Sequence, residues 1–319
     1  MADSAPPSDP LSFAIFGAGA VGCYFGALLS RAGHRVTLIG RAAHVQAITQ
    51  RGLRLQTTTA DTCIPMHAST QPAAANGADV VLLCVKSGDT EEAARQLLPF
   101  VAPHTLVLTL QNGVDNDARA RAVLGNACDV AAAVVYVATA MAGPGHVRHY
   151  GRGDLVIAPA PLSVRLAAQL QAAGIPTQIS DNVRGALWAK LIINCAYNAL
   201  SALLQRPYGW LMAQPGANDV VNNVVEECLA VAHADDVEIA GDIHTALRAI
   251  VTSMPGQLSS TAQDVARGKP TEIDHLNGYV AQRGRALGVP TPVNHTLEVL
   301  VRMLQARAGE SAASQEQGK

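Results

Sequence analysis

The residues best suited to chemistry in this 319-residue chain stand four apart. Lys190, Asn194 and Asn198 fall at i, i+4 and i+8 in the segment Leu187-Trp-Ala-Lys-Leu-Ile-Ile-Asn-Cys-Ala-Tyr-Asn198. On a helix that spacing puts all three on one face. The rest of the segment is apolar, so the helix is expected to be buried on most sides. A buried ammonium is costly unless it is paired or put to use. Such a group can stabilise negative charge growing on an oxygen and deliver a proton to it. The plainer alternative is a solvent-facing stripe, which would normally be longer and more charged.

A second set concerns phosphate. In Gly17-Ala18-Gly19-Ala20-Val21-Gly22 the first glycine allows a tight turn, the second lets the backbone approach a pyrophosphate, and the third lets helix and strand pack closely. The helix N-terminus that follows offers free N–H groups and a positive dipole end. NAD readers usually carry an acid at the end of the second strand for the ribose 2′-hydroxyl. This chain has Ile39-Gly40-Arg41 there, where Gly40 leaves room and Arg41 can fork onto a 2′-phosphate. Lys86, just past a third strand, adds a second cation at the same sheet edge. These features select NADPH. The plainer reading of Arg41 and Lys86 is two solvated cations at loop starts.

Three further polar groups are less decided by sequence. Asn112, in Asn112-Gly113 after a buried strand, is either a turn asparagine or an amide near the nicotinamide end of the cofactor. The stretch Leu258 to Asp264, with Ser260, and the stretch Lys269 to Gly278, with Glu272, are polar clusters. Thr271-x-x-Asp274 has capping-box spacing. Glu272 then reads equally as a dipole-favoured first-turn acid or as a site acid.

Elements must position these groups. Leu11 to Phe16, Arg35 to Ile39, Asp79 to Val85, Thr105 to Leu110 and Val130 to Thr139 read as strands, mostly without polar alternation, as when both sheet faces are covered. Helices are expected after the glycine turn to about Arg31, over Glu91 to Pro99, after Gly113 to about Leu124, and over Leu162 to Ala173 before a short strand at Thr177 to Ser180. Gly151-Arg-Gly153 between two extended stretches reads as a hairpin turn. After Asp181 the pattern becomes helical: Val183–Leu204, Ala217–Ala234, Ile243–Val251, Thr271–Leu287 and Val293–Arg307. The fold class is α/β, an N-terminal Rossmann-type doubly wound sheet followed by an all-α C-terminal domain. The expected divisions are a lead-in at 1–10, a nucleotide domain at 11–181, a helical substrate domain at 182–307 and a polar tail at 308–319. A cleft between two such domains is a usual place for a ligand.

Composition narrows the partners. Lys and Arg number 23 against 25 Asp and Glu, a net charge of −2, so no field draws nucleic acid or an anionic membrane. The first ten residues lack the basic and apolar regions of a signal peptide, which points to the cytoplasm. The six cysteines are scattered without metal-ligand spacing, as buried thiols in a reducing compartment would be, and no metal is expected. The partner is a small molecule; a homodimer stays open.

Taken in order, Phe16 to Gly22, Cys84-Val-Lys86, Leu110 to Gly113, Pro144 to Val147, Trp188 to Asn194 with Asn198, Ser259-Ser260 with Gln263-Asp264, and Thr271 to Asp274 with Asn277-Gly278 resemble the ketopantoate reductase (2-dehydropantoate 2-reductase) family. The resemblance spans about Ser12 to Arg307. It implies NADPH-dependent reduction of 2-dehydropantoate to (R)-pantoate, on the way to pantothenate and coenzyme A. It also implies Lys190 as the catalytic lysine and Glu272 as its acidic partner. Asn194, Asn198 and Ser260 match substrate positions, Asn112 the asparagine near the nicotinamide, and Arg41 with Lys86 the basic pair at the adenosine phosphate. Thr261-Ala262, Gln111 and Asp115 depart from the family pattern and can retune the pocket. The alternatives are a reductase of another branched or aromatic 2-keto acid and, lower, a non-catalytic dinucleotide sensor.

Overall fold

Residues 9–317 are described by the structure, a computed structural model, with side chains up to residue 307. The expected lead-in therefore lies outside the described residues up to position 8. Two compact units divide the chain: one is the chain up to Gln111 with Asp115–Val183, the other Asn112–Val114 with Arg184–Lys319.

The first unit runs β1 (Ser12–Phe16), α1 (Ala20–Arg31), β2 (Arg35–Ile39), α2 (Ala42–Arg51), β3 (Leu53–Gln56), β4 (Asp61–Ile64), β5 (His67–Ser69), β6 (Val80–Leu83), α3 (Thr90–Leu97), β7 (Leu106–Thr109), α4 (Asn116–Leu124), β8 (Asp129–Gly143), β9 (His146–Ile157), α5 (Ser163–Ala172) and β10 (Thr177–Ile179). The sheet order is β4-β3-β9-β8-β7-β6-β1-β2-β5, with β10 beside β9. Its β5-β2-β1-β6-β7-β8 portion is parallel throughout, the strand order of a dinucleotide-binding fold. Phe13, Ile15, Leu82 and Leu108 pack with α1 and α5 on one face; Ala14, Phe16, Leu83 and Val107 pack with α3 and α4 on the other. Burial on both faces is why these strands read as unbroken apolar runs.

The sheet is larger than the sequence reading gave. Residues 42–69, left without elements, hold α2 and three short strands, of which β4 is mostly exposed and so lacks an apolar signature. The hairpin placed at Gly151-Arg-Gly153 is corrected. Its turn is at Pro144-Gly145, between β8 and an uninterrupted β9, and residues 151–153 lie where the β8–β9 register shifts. Gly153 is needed for packing there, since a Cβ would come within 2.6 Å of the Tyr24 hydroxyl, and Arg152 takes a φ of 58°.

The second unit is helical: α6 (Val183–Leu204), α7 (Tyr208–Met212), α8 (Ala217–Ala234), α9 (Ile243–Ser253), α10 (Ser260–Ala266), α11 (Asn277–Leu287) and α12 (Pro292–Gln317). The backbone of α12 continues through most of the expected polar tail. A continuous helix from Thr271 is not formed. A short 3-10 turn at Ile273–His275 precedes α11, and Leu276, at φ −114° and ψ −106°, separates the two. Among the described residues, α6 is the one helix long and apolar enough to cross a bilayer, and 67% of its apolar window is buried within the protein.

Candidate active site

Strand register brings the chain exits of the first unit to one edge. Phe16 pairs with Ile39 and with Leu83, and Leu83 with Thr109. The N–H groups of Gly17 and Ala18 both donate to the Ile39 carbonyl, at 2.9 and 3.0 Å, which folds the glycine turn over the end of β2.

The three glycines of that turn differ physically. A Cβ on Gly17, at φ +117°, would lie 2.6 Å from the Cys84 carbonyl carbon, and one on Gly22 would lie 2.2 Å from the Gly17 carbonyl oxygen. Protein packing alone requires both. A Cβ on Gly19 would meet nothing within 4 Å. Its room is used by no protein atom, as expected where a pyrophosphate passes over the backbone at the N-terminus of α1. The turn thus fits a dinucleotide. Cys23, beneath it, donates to the Ala18 carbonyl, and burial pushes its thiol up to about 12, so it stays neutral packing.

Arg41 is the N-cap residue of α2 and is exposed, as is Lys86 after β6. The role read for Gly40 changes. A Cβ there would sit 2.5 Å from the Ala18 Cβ, so the space is taken up by the turn. No acidic side chain fits at position 40, which disfavours a 2′-hydroxyl reader there by sterics as well as by residue type.

A buried polar cluster, unforeseen from sequence, ties two loops at this edge. The Gln111 side-chain amide donates to the Thr90 hydroxyl at 2.8 Å, and Thr90 donates to the Asn116 side-chain oxygen at 2.8 Å. All three are at most 6% exposed. Gln111, one of the departures from the family pattern, thereby fixes the chain just before Asn112.

In the second unit, α6 carries the stripe. Trp188, Leu191, Ile192, Cys195, Ala196 and Ala199 are buried around it, Lys190 and Asn194 are half-buried, and Asn198 is 3% exposed. Tyr197 and Cys195 on α6 belong to the core: burial pushes the Tyr197 phenol up to about 12 while its hydroxyl donates to the Leu247 carbonyl, and burial likewise raises the Cys195 thiol.

Two segments hang on α6. The Ser259 hydroxyl donates to the Asn198 carbonyl at 3.2 Å and caps α10 through the Ala262 N–H, so Ser259 is structural. Ser260, the next residue, is exposed and starts α10 beside Asn198. At the other segment, the Asn277 amide donates to the Cys195 carbonyl at 3.1 Å. Just before it lies Glu272, 8% exposed, which accepts from the Asn112 side-chain amide at 3.1 Å. Two candidate residues 160 positions apart are therefore in contact.

The capping box read at Thr271 and Asp274 is corrected. Asp274 accepts from Arg302 at 2.7 Å, and the Thr271 N–H donates to the Gln305 side-chain oxygen at 2.6 Å. Glu272 itself makes no side-chain cap hydrogen bond. Glu272 stands as the N-cap residue of the 3-10 turn Ile273–His275, but its side chain caps nothing there and is hydrogen-bonded to Asn112.

Comparison with known proteins matches two family models: "Ketopantoate reductase PanE/ApbA" over residues 13–161, and "Ketopantoate reductase PanE/ApbA C terminal" over 182–305. The 2-dehydropantoate 2-reductase of Halobacterium salinarum is 33% identical, over 91% of this chain and 97% of that protein. A PanE/ApbA family ketopantoate reductase from Ralstonia eutropha superposes with a TM-score of 0.91 at 56% identity, covering 94% of this chain and all of that one. A D-mandelate dehydrogenase solved with NADH and anilino(oxo)acetate gives a TM-score of 0.87 at 25% identity, covering 94% and 99%.

Proposed function

The chain belongs to the ketopantoate reductase family, and from that premise we propose that it reduces 2-dehydropantoate to (R)-pantoate with NADPH, a step toward pantothenate and coenzyme A. It is an oxidoreductase whose cofactor is a nicotinamide dinucleotide. The choice of NADPH rests on Arg41 at the end of β2 and on the exclusion of an acid at Gly40.

One observation carries the site assignment: the 3.1 Å hydrogen bond from Asn112 to buried Glu272. Both residues belong to the second unit, and their contact supports the reading that they share one site.

A nicotinamide dinucleotide held at Gly17 to Gly22 would supply the hydride that the carbonyl carbon of the keto acid accepts. Lys190, as an ammonium, stabilises the charge that grows on the carbonyl oxygen and delivers one proton to it; the neutral amine regains a proton from solvent. Asn194 and Asn198 fix the orientation of the substrate, Ser260 holds its carboxylate, and Glu272 orients Lys190 or holds the substrate hydroxyl. Gly17 to Gly22 cradle the pyrophosphate, and Arg41 and Lys86 neutralise the 2′-phosphate.

The likeness to the D-mandelate dehydrogenase supports a second reading, reduction of an aromatic 2-keto acid. Turnover measured by loss of NADPH absorbance, with 2-dehydropantoate beside a panel of branched and aromatic 2-keto acids, decides between them. The first reading expects the highest kcat/KM for 2-dehydropantoate. A higher value for an aromatic acid replaces it with the second.

A further inference from the structure

We propose that Arg302, with Glu298 and Gln305, is a positioning residue for Glu272, acting through the 3-10 turn that carries it; the proposal rests on Glu272 being the site acid. The three side chains fall at i, i+4 and i+7 on α12, on one helical face. Each meets the segment from Thr271 to Gly278. Gln305 accepts the Thr271 N–H at 2.6 Å, one residue before Glu272. Arg302 Nε donates to Asp274 at 2.7 Å, two residues after it. Arg302 Nη2 reaches Glu298 at 2.8 Å.

Burial decides which end of this bridge is the anchor. The Arg302 and Asp274 side chains are 51% and 56% exposed, so solvent screens their pair and it alone would hold the turn only weakly. Glu298 is different, with a side chain 4% exposed. A carboxylate so far from water must keep its cation and hydrogen bonds. It takes Arg302 on one oxygen and His295 on the other, at 3.1 Å. Gly278 lets it come close: a Cβ there would lie 2.8 Å from Glu298 Oε1. The carboxylate thus rests on the first turn of α11, where the helix dipole favours an anion. Arg302 is held at this buried end and with its other nitrogen fixes Asp274.

The segment needs such a clamp. It has left the regular helix that would otherwise define its path, and the capping box that sequence suggests is not made. Glu272 is thereby held from both sides, by Gln305 before it and Arg302 after it. Loss of the clamp leaves a carboxylate of the right type in a loose place, and small displacements of a catalytic group cost rate steeply.

A double-mutant cycle in the full-length enzyme tests this, with thermal melting and NADPH affinity measured for each variant. Glu272→Gln is expected to lower kcat about 100-fold. Arg302→Met is expected to lower kcat about tenfold while NADPH affinity stays the same. The double variant is expected to be no slower than Glu272→Gln alone, because Arg302 acts only through that acid. A purely structural role would instead multiply the two losses, and that additive result overturns the proposal, as does normal kcat in Arg302→Met. If Arg302→Met does not fold, Asp274→Asn, at the exposed end of the bridge, takes its place with the same expectations. Wild-type turnover in Glu272→Gln would overturn the reading of Glu272 as the site acid and the clamp proposal with it. A slow Glu272→Gln beside a normal Arg302→Met removes the clamp alone.

Discussion

Residues 17–22 and residues 271–278 each contain a glycine that a neighbour forbids from carrying a side chain, yet the neighbours differ in kind. Gly22 is closed off by the carbonyl of Gly17, five residues back in the same turn. Gly278 is closed off by the carboxylate of Glu298, on a different helix. The first stretch is a site made of backbone. Its shape follows from local dihedrals and from the strand beneath it, and Gly19 is the glycine of the turn with open space, where the proposed reading puts the pyrophosphate. The second stretch, the proposed site of Glu272, is held by side-chain hydrogen bonds to the α6 backbone, to α12 and to Asn112. Backbone sites are therefore written in a few consecutive residues, and side-chain sites are scattered through the chain.

The widest separation between the two regions is expected from Lys190→Met. On the proposed reading it lowers kcat by about 10²- to 10⁴-fold, the range for a lost general acid, and leaves NADPH affinity nearly unchanged. Near-normal turnover in steady-state assays would remove Lys190 from the chemistry.

Within the glycine turn, a pair of alanine variants sharpens the comparison. Gly22→Ala drives a methyl to 2.2 Å from a backbone oxygen, and overpacking of that kind costs about 1–3 kcal/mol or more, so both melting temperature and NADPH binding should fall. Gly19→Ala meets no protein atom, so its melting temperature should match the parent while NADPH binds about tenfold more weakly. Equal melting losses in the two variants would mean the turn is packed differently from this account.

The smallest expected effect is on cofactor choice. Arg41→Ala should weaken NADPH by about tenfold, roughly the worth of one exposed charge-assisted hydrogen bond, and leave NADH nearly untouched. The loss should shrink as salt rises, since Arg41 is exposed. Equal losses for both cofactors, measured by fluorescence titration, would take the 2′-phosphate away from Arg41.

How legible each part was follows from the same distinction. The bounds of α6 and α8 stand in the sequence because their apolar residues recur with helical period over 22 and 18 residues. The parallel strands are legible because burial on both faces leaves them apolar. By contrast β3, β4 and β5, of four, four and three residues, carry too little apolar surface to announce themselves. The glycines at 151 and 153 mislead because a bulge and a turn use the same residue for different reasons. Thr271 and Asp274 mislead because the Thr271 N–H and the Asp274 carboxylate find their partners on α12 rather than in each other.

By itself the sequence determined what is local: the glycine turn between strand and helix, the buried period of α6 with Lys190, Asn194 and Asn198 on one face, and the change from strands to helices near Asp181. Tertiary structure alone decided that Asn112 meets Glu272, that Ser259 serves as a cap beside exposed Ser260, and that Arg302 joins Asp274 to Glu298. The reason is range. Dihedral preference and periodicity act over a few residues along the chain, whereas a side-chain hydrogen bond forms between whatever groups packing brings within about 3 Å, however far apart they stand in sequence.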